Sequence, residues 1–275
     1  IRNSPPCDVI VATHTPTVIP VLLISWLKRQ SRLWLYMDYP EMFRGRHVEG
    51  LLLRYAPRWF SDIVAISRPS AEEVIKQTRS KVHIMRPGLG LTHGVGGESE
   101  GRSYPEGFRI LYVGDDRPRK GLQEFVQAVN VVQSNHPNVI AVIVCKNTCD
   151  VDQSINCELH FRPDDAELAS LYMACDLFVS TSWGEGLGYP ALQAMAFGKP
   201  VVVSDSGGVR DYAVDGDNAL VVPAQRSDAV ASAILRLLGD DALRTRLSEN
   251  AVGTASEYDW DRSADQFVAI ASALS

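Results

Sequence analysis

The segment TSWGEGLGYPALQAMAFGKPVVVSD, residues 181–205, places one carboxylate, Glu185, among Gly184, Gly186 and Gly188 just before a helix opened by Pro190. Glycine tolerates positive φ and removes the Cβ that would hold a ligand away from the backbone. The amides of such a turn, with the partial positive charge of a helix N-terminus, suit a phosphate. A carboxylate repels phosphate but accepts hydrogen bonds from vicinal hydroxyls, so Glu185 fits a ligand whose phosphate adjoins a sugar. Gln193, read as part of the first helical turn, would reach another hydroxyl pair. A phosphate flanked by two sugars is a nucleotide sugar. On these residues alone, a plain strand-turn-helix loop whose glycines only make the turn stays open as the alternative.

A second cluster, VGDDRPRKGLQEF (113–125), also runs from a strand into a helix. Arg119 and Lys120 stand where the chain leaves the sheet, a place from which cations neutralise a departing diphosphate. A third glycine loop, with Gly207 and Gly208, lies in SDSGGVRDYAVDGDNALVVP (204–223).

Strand-like and helix-like segments alternate and must position these clusters. Strands are expected at 8–13, 32–37, 62–66 and 81–85, with helices near 17–30, 49–60 and from Pro69 to about Arg79. Pro87 to Gly107 is glycine-rich with little apolar periodicity and reads as a linker. Strands resume at 108–114, 138–145, 157–161, 176–182, 199–204 and 218–223, with helices at 121–134, 164–174, after Pro190, and at 227–238, 240–256 and 260–274. Such alternation predicts parallel sheets with crossover helices. The division expected is a first domain over 1–91, a linker over 92–107, a second domain over 108–257 and a C-terminal helix, 258–275, packing back toward the first domain. A cleft between the domains, at the carboxyl ends of the strands, is the expected pocket.

Composition narrows the class. At 275 residues the chain is long for one core, and 45% hydrophobic with 22% charged residues is ordinary for a soluble protein. Residues 1–91 carry 13 Lys and Arg against 7 Asp and Glu, whereas the remainder carries 14 against 26. The basic first part suggests an anionic surface or phosphorylated acceptor, or else a solvated basic face. Trp26 and Trp34 with Lys28, Arg29 and Arg32, in SWLKRQSRLWLYM (25–37), would touch anionic lipid; a buried helix with a charged end is the blander reading. No nucleic-acid partner is expected. Cys7, Cys145, Cys149, Cys157 and Cys175 form no disulfide framework, and their spacing is not that of a zinc site. The longest apolar run, Val18 to Leu27, is too short to span a bilayer. A cytoplasmic setting, reaching at most the inner face of the membrane, is expected. The start at Ile1 rather than Met suggests that residues precede it.

Three motifs in order resemble those of the group 1 (family four) retaining glycosyltransferases, whose GT-B fold pairs two Rossmann-like domains. EGLGYPALQAMAFGKPVV resembles the family's E-G-F-G-L-P-x-L-E-A-M-A-x-G-x-P-V-V, GDDRPRKG its G-R-x-x-x-x-K-G, and GGVRDYAVDGDNAL its G-G-x-x-E-x-x-x-x-G-x-N-G-L. The resemblance covers 108–275; residues 1–91 are similar only to the later part of the family's first domain, through DVIVATHTP and DIVAISRPSAEEVI. It implies an α/β fold of two parallel-sheet domains with the first incomplete. It also implies transfer of a sugar from a nucleoside diphosphate to an unknown carbohydrate or lipid-linked acceptor with retention of configuration. By the same resemblance Glu185, Lys120 and Arg119 would be catalytic. Gly186, Leu187, Gly188, Gln193, Phe161 and Arg162 would bind the donor, and His14 and Asp38 would face the acceptor. No cofactor and no metal is expected.

The departures are Gln193 for the second glutamate, Asp115 for the arginine of G-R, Asp211 for the acid of G-G-x-x-E, and Met37 with Asp38 where many members carry histidine. They keep a second possibility in play, a nucleotide-sugar-binding homologue with weak or no catalysis. A Rossmann oxidoreductase, prompted by GEGLG, lacks the third glycine at the right offset and the acidic residue about twenty residues on that such a site requires.

Overall fold

The computed structural model describes residues 7–43, 47–90, 107–147, 149, 151 and 155–274. The expected linker, 92–107, lies outside the described residues except for Gly107. The chain divides into two compact units. Unit 1 takes 1–88, 184–187 and 258–275, and unit 2 takes 89–183 and 188–257.

Unit 1 contains β1 (Val9–Ala12), α1 (Val18–Lys28), β2 (Ser31–Tyr36), α2 (His47–Tyr55), β3 (Asp62–Ala65), α3 (Arg68–Ile75) and β4 (Lys81–Ile84). The strands pair in parallel in the order β1-β2-β3-β4, in register Val9 with Ser31, Leu33 with Asp62, and Asp62 with Lys81. Sequential parallel strands with right-handed crossovers keep their helices on one face. One core cluster accordingly joins Val18 and Val21 of α1, Leu53 of α2 and Val74 of α3 to Trp34, Tyr36 and Ile63 of the sheet. The other face, Leu33, Val64 and Met85, is covered by Phe267, Ile270 and Leu274. Phe267 and Ile270 belong to the last helix, Trp260–Ser272, labelled α9 below.

Two expectations change here. The helix expected over 49–60 is an α-helix only to Tyr55. A 3-10 turn, Ala56–Trp59, follows because Pro57 supplies no N–H. The tryptophans at 26 and 34 part company: Trp34 is fully buried, so it cannot meet a surface, while Trp26 is 75% exposed. Ile19, Leu23 and Leu27 are exposed with Trp26, a helical spacing that gives α1 an outward apolar stripe beside its buried Val18 and Val21. No helix among the described residues is long and apolar enough to cross a membrane.

Unit 2 contains β5 (Phe108–Gly114), α4 (Leu122–Gln133), β6 (Val139–Cys145), β7 (Cys157–Phe161), α5 (Asp165–Ala174), β8 (Leu177–Ser180), α6 (Tyr189–Ala196), β9 (Val201–Ser204), β10 (Leu220–Val222), α7 (Ser227–Leu238) and α8 (Asp241–Ala255). All six strands are parallel, in the order β10-β9-β8-β5-β6-β7. Read from the other edge this is the doubly wound order 3-2-1-4-5-6. β6 and β9 are buried along their whole length, which explains the unbroken apolar runs VIAVIVC and VVVS.

An ion pair closes the amino edge of this sheet. Arg109, whose side chain is 4% exposed, reaches across to Glu158 with Nη1 to Oε1 at 3.0 Å. The hydrogen bond from Arg109 is the main cause of a Glu158 pKa below the usual range, and burial opposes it. Glu158→Ala removes the carboxylate that both terminal nitrogens of the buried guanidinium engage, and loss of one member of a buried pair costs roughly 3 kcal/mol. Since the folded-state pKa is depressed, this contribution is present above about pH 4.5 and disappears as pH falls below it. Urea unfolding at pH 7 and pH 3 checks this, with the wild-type advantage over Glu158→Ala expected to be smaller at pH 3 than at pH 7.

Candidate functional site

The strand order directs attention to one place. From β5 the chain moves through β6 to β7 on one side, and then to β8, β9 and β10 on the other. Ligands of such sheets sit outside the carboxyl ends of the strands where the order reverses. Two loops leave unit 2 there, 115–121 after β5 and 181–188 after β8.

The first loop is tied down by its carbonyls. The Tyr112 hydroxyl donates to Lys120 O at 3.0 Å, the Thr181 hydroxyl to Gly121 O at 2.6 Å, and the Trp183 amide to Arg119 O at 2.7 Å. Gly121 has φ 71°, and a Cβ there would lie 2.1 Å from the Thr181 carbonyl oxygen. The backbone under Arg119 and Lys120 is therefore fixed, with both side chains half-buried. Asp115 is 6% exposed and receives Arg117 Nε at 2.8 Å and the Arg117 amide at 3.0 Å. Burial pushes its pKa up, but the hydrogen bonds and charge of Arg117, helped by Lys120, outweigh burial and leave it below the usual range. The carboxylate is thus inside, and only the Arg117 guanidinium is outside.

The second loop assigns its glycines differently from the sequence reading. A Cβ on Gly186 would stand 2.2 Å from Met37 O, and Gly186 O accepts from the hydroxyls of Ser67 at 2.8 Å and Ser70 at 3.2 Å. The bare side of this glycine meets the protein's own backbone, in unit 1, rather than leaving room for a ligand. Gly188 turns at φ 88°. Its missing Cβ makes room for Val209 and the Tyr212 hydroxyl, which donates to Gly188 O at 3.0 Å. What stays available is on the nitrogen side. The N–H groups of Gly186, Leu187 and Gly188 donate to no acceptor among the described residues. Three such amides in a buried loop are costly unless a ligand or water accepts from them. Glu185 is half-buried.

Gln193 sits in the second turn of α6, not the first, because the helix begins at Tyr189. Its Oε1 accepts from the buried Tyr172 hydroxyl at 3.3 Å, which leaves the amide Nε2 as its donor. Phe161, 46% exposed, ends β7, two strands and roughly 10 Å from β5. Arg162 takes φ 49°, unusual for a non-glycine, and spends its side chain on Lys146 O at 2.7 Å and Asn147 Oδ1 at 3.1 Å. It holds the loop after β6 rather than projecting from it.

In unit 1, His14 and Asp38 meet at the carboxyl ends of β1 and β2. Asp38 is buried and accepts from the Thr15 amide at 2.9 Å and the Thr15 hydroxyl at 2.6 Å; its other oxygen lies 3.9 Å from Nδ1 of the exposed His14. No group of three His, Cys, Asp or Glu suited to a metal occurs among the described residues. A hollow of about 250 Å³ beside Trp183 and Arg117 is lined by none of the expected site residues.

Sequence reasoning did not find Tyr112, Thr181, Ser67, Ser70 or Tyr212, which brace these loops. Ser67 carried a signal, as a serine just before Arg68-Pro69 at a helix start, and it does cap α3 through the Ser70 amide. Tyr212 carried none, being 24 residues from the glycine it holds.

The family described as glycosyl transferases group 1 matches over residues 99–253, more than half of the chain. The chain belongs to this family. Among the relatives of this group 1 glycosyltransferase is a phosphatidyl-myo-inositol mannosyltransferase of Mycolicibacterium smegmatis. The two are 33% identical over 166 residues, which is 57% of this chain and 43% of the relative. A D-inositol 3-phosphate glycosyltransferase of Corynebacterium glutamicum is 28% identical over 57% of this chain and 41% of its own length. The match thus spans about two-fifths of these curated relatives. Sucrose-phosphate synthase from Thermosynechococcus elongatus superimposes with a TM-score of 0.79 at 18% identity, covering 97% of this chain and 73% of that one. HepE from Anabaena, solved with UDP and glucose, gives 0.80 at 18% identity, covering 97% and 78%. These two structures share the α/β architecture of two parallel Rossmann-like sheets, the GT-B fold. Family membership replaces the oxidoreductase alternative.

Proposed function

We propose that this group 1 glycosyltransferase binds a nucleoside diphosphate sugar at the β5 and β8 loops and transfers the sugar with retention of configuration. The observation that carries the reading is the run of three amides without acceptors at 186–188, on a loop that leaves the sheet at its reversal point. The diphosphate would take those amides together with Lys120 and Arg119, and Glu185 would accept from the sugar hydroxyls. Gln193 Nε2 would donate to the ribose. Phe161 would flank the base, at a distance from β5 that a nucleoside spans. His14 and Asp38 would serve the acceptor side.

The route we propose is front-face departure in one step rather than a two-step covalent route through a carboxylate nucleophile. The bond from C1 to the diphosphate oxygen breaks while the acceptor hydroxyl attacks the same face. The hydroxyl proton passes to the departing diphosphate, whose charge the cations and amides hold. HepE, a structural neighbour, is solved with UDP-glucose, and the relatives named above act as mannosyl- and glycosyltransferases on inositol compounds. UDP-glucose and GDP-mannose are therefore the donors to test first, with inositol phosphates and phosphatidylinositol as acceptors.

Calorimetry on the full-length protein should show saturable binding of one donor, lost with Glu185→Ala, and NMR of the product should show the donor's anomeric configuration. Absence of any nucleotide-sugar binding would overturn the proposal, and an inverted product would remove its stereochemistry. One observation favours the weaker-catalyst reading. Asp115 stands in place of a cation and ties up Arg117, so the loop brings less positive charge to the diphosphate. Tight donor binding with neither transfer nor donor hydrolysis would decide for it.

A further inference from the structure

Unit 1 holds a hollow of about 670 Å³ at the opposite end of its sheet from His14 and Asp38. Arg58, Ser61, Lys76, Thr78, Arg79 and Ser80 line it, on the segments that lead into β3 and β4. We propose that this hollow is a separate anion site, for a phosphate-bearing small molecule or headgroup.

Its walls are cross-braced rather than loose. The Thr78 hydroxyl donates to Pro57 O at 3.1 Å, the Ser80 hydroxyl to Phe60 O at 2.5 Å, and Arg58 Nε to Gln77 O at 3.0 Å. The Lys81 amide adds a bond to Ser61 O at 2.9 Å. These bonds hold three cations around one concavity, where low-dielectric walls concentrate their field. No carboxylate lines it. The acids on flanking elements are engaged, Glu73 with Lys76 at 3.3 Å and Asp62 with His83 at 2.9 Å. Arg79 makes no hydrogen bond or ion pair among the described residues, and Arg58 uses only Nε, so guanidinium edges remain for a planar oxyanion. The volume lies within the range of small-molecule sites and exceeds what one bare phosphate fills. Tyr55 and Trp59, both partly exposed, adjoin Arg58 in sequence, with the Arg58 guanidinium 5.3 Å from the Tyr55 ring centre.

Inorganic pyrophosphate, titrated by calorimetry, tests the site without relying on the donor reading. Saturable binding is expected that persists in Lys120→Ala and weakens about tenfold or more in Arg79→Glu. Because Arg79 braces nothing, an unchanged thermal midpoint should accompany that loss. Binding abolished by Lys120→Ala but kept in Arg79→Glu would place the anion at the donor loops and overturn the proposal, as would absence of saturable binding. Vesicles of phosphatidylcholine with phosphatidylinositol 4-phosphate identify the source. Co-sedimentation lost in Arg79→Glu assigns a headgroup, and co-sedimentation indifferent to Arg79, with pyrophosphate binding still dependent on it, assigns a soluble phosphate.

Discussion

Lys120→Ala in the full-length protein is expected to lower turnover on the order of a hundredfold at saturating donor, the effect of removing one preorganised charge contact from a developing anion. The size follows from how the residue is held. Its carbonyl receives the Tyr112 hydroxyl, and the adjacent carbonyls of Arg119 and Gly121 receive Trp183 and Thr181. The ammonium therefore pays little reorganisation when charge appears on the leaving group. A cation that acts in the transition state lowers kcat and kcat/KM together, whereas one that only binds donor raises KM. A fall in kcat of less than about threefold would remove Lys120 from the reaction. Lys120→Arg, which keeps charge but changes reach, should recover part of the activity.

Gly121→Ala is expected to be strongly destabilising to unit 2. The new carbon meets Thr181 O at 2.1 Å, a backbone atom that cannot swing aside, and must also accept φ 71°. The left-handed conformation costs an L-residue roughly 1–2 kcal/mol and overpacking roughly 1–3 more. Gly198→Ala supplies the comparison. It shares a positive φ, 66°, but its nearest neighbours would be 3.5 Å and 3.8 Å away, so it bears the conformational cost alone. Thermal unfolding should show Gly121→Ala losing about twice as much stability as Gly198→Ala. Turnover should fall only for Gly121→Ala, because the shift carries Lys120 with it. Equal losses in the two variants would mean that the contact with Thr181 yields cheaply.

The strands were legible because their signal is local. Runs such as VIAVIVC and FRILYVG, short and rich in β-branched and aromatic residues, fit buried parallel strands, and each appears within a residue or two of its expected ends. The helix expected over 49–60 was over-extended past Tyr55 because an α-helical pattern of apolar residues continues past Pro57, while the missing N–H ends it. Positions of Glu185 and Lys120 on strand-to-helix loops were also readable, since glycine, proline and charge mark those loops in the sequence. The work of the glycines was not. Gly186 answers to Met37, Ser67 and Ser70, more than a hundred residues earlier, and no spacing rule links such distant partners. The burial of Asp115 was likewise invisible, because Asp-Asp-Arg beside a turn looks like solvated charge until Arg117 folds over it. The hollow at Arg58 and Arg79 depends on two segments about twenty residues apart lying side by side, which only the pairing of β3 with β4 brings about.

The return of α9 to unit 1 sets the order in which the protein can mature on the ribosome. Leu33, Val64 and Met85 are synthesised about two hundred residues before Phe267, Ile270 and Leu274, which cover them. The Ser31 hydroxyl likewise waits for Leu274 O, and Arg86 O for the Ser263 hydroxyl. The later-made unit 2, whose span is nearly continuous, has its partners within reach as soon as residue 257 is out. The nascent chain therefore carries an uncovered apolar sheet face until α9 emerges, and a ribosome stalled before α9 would expose that surface to chaperones.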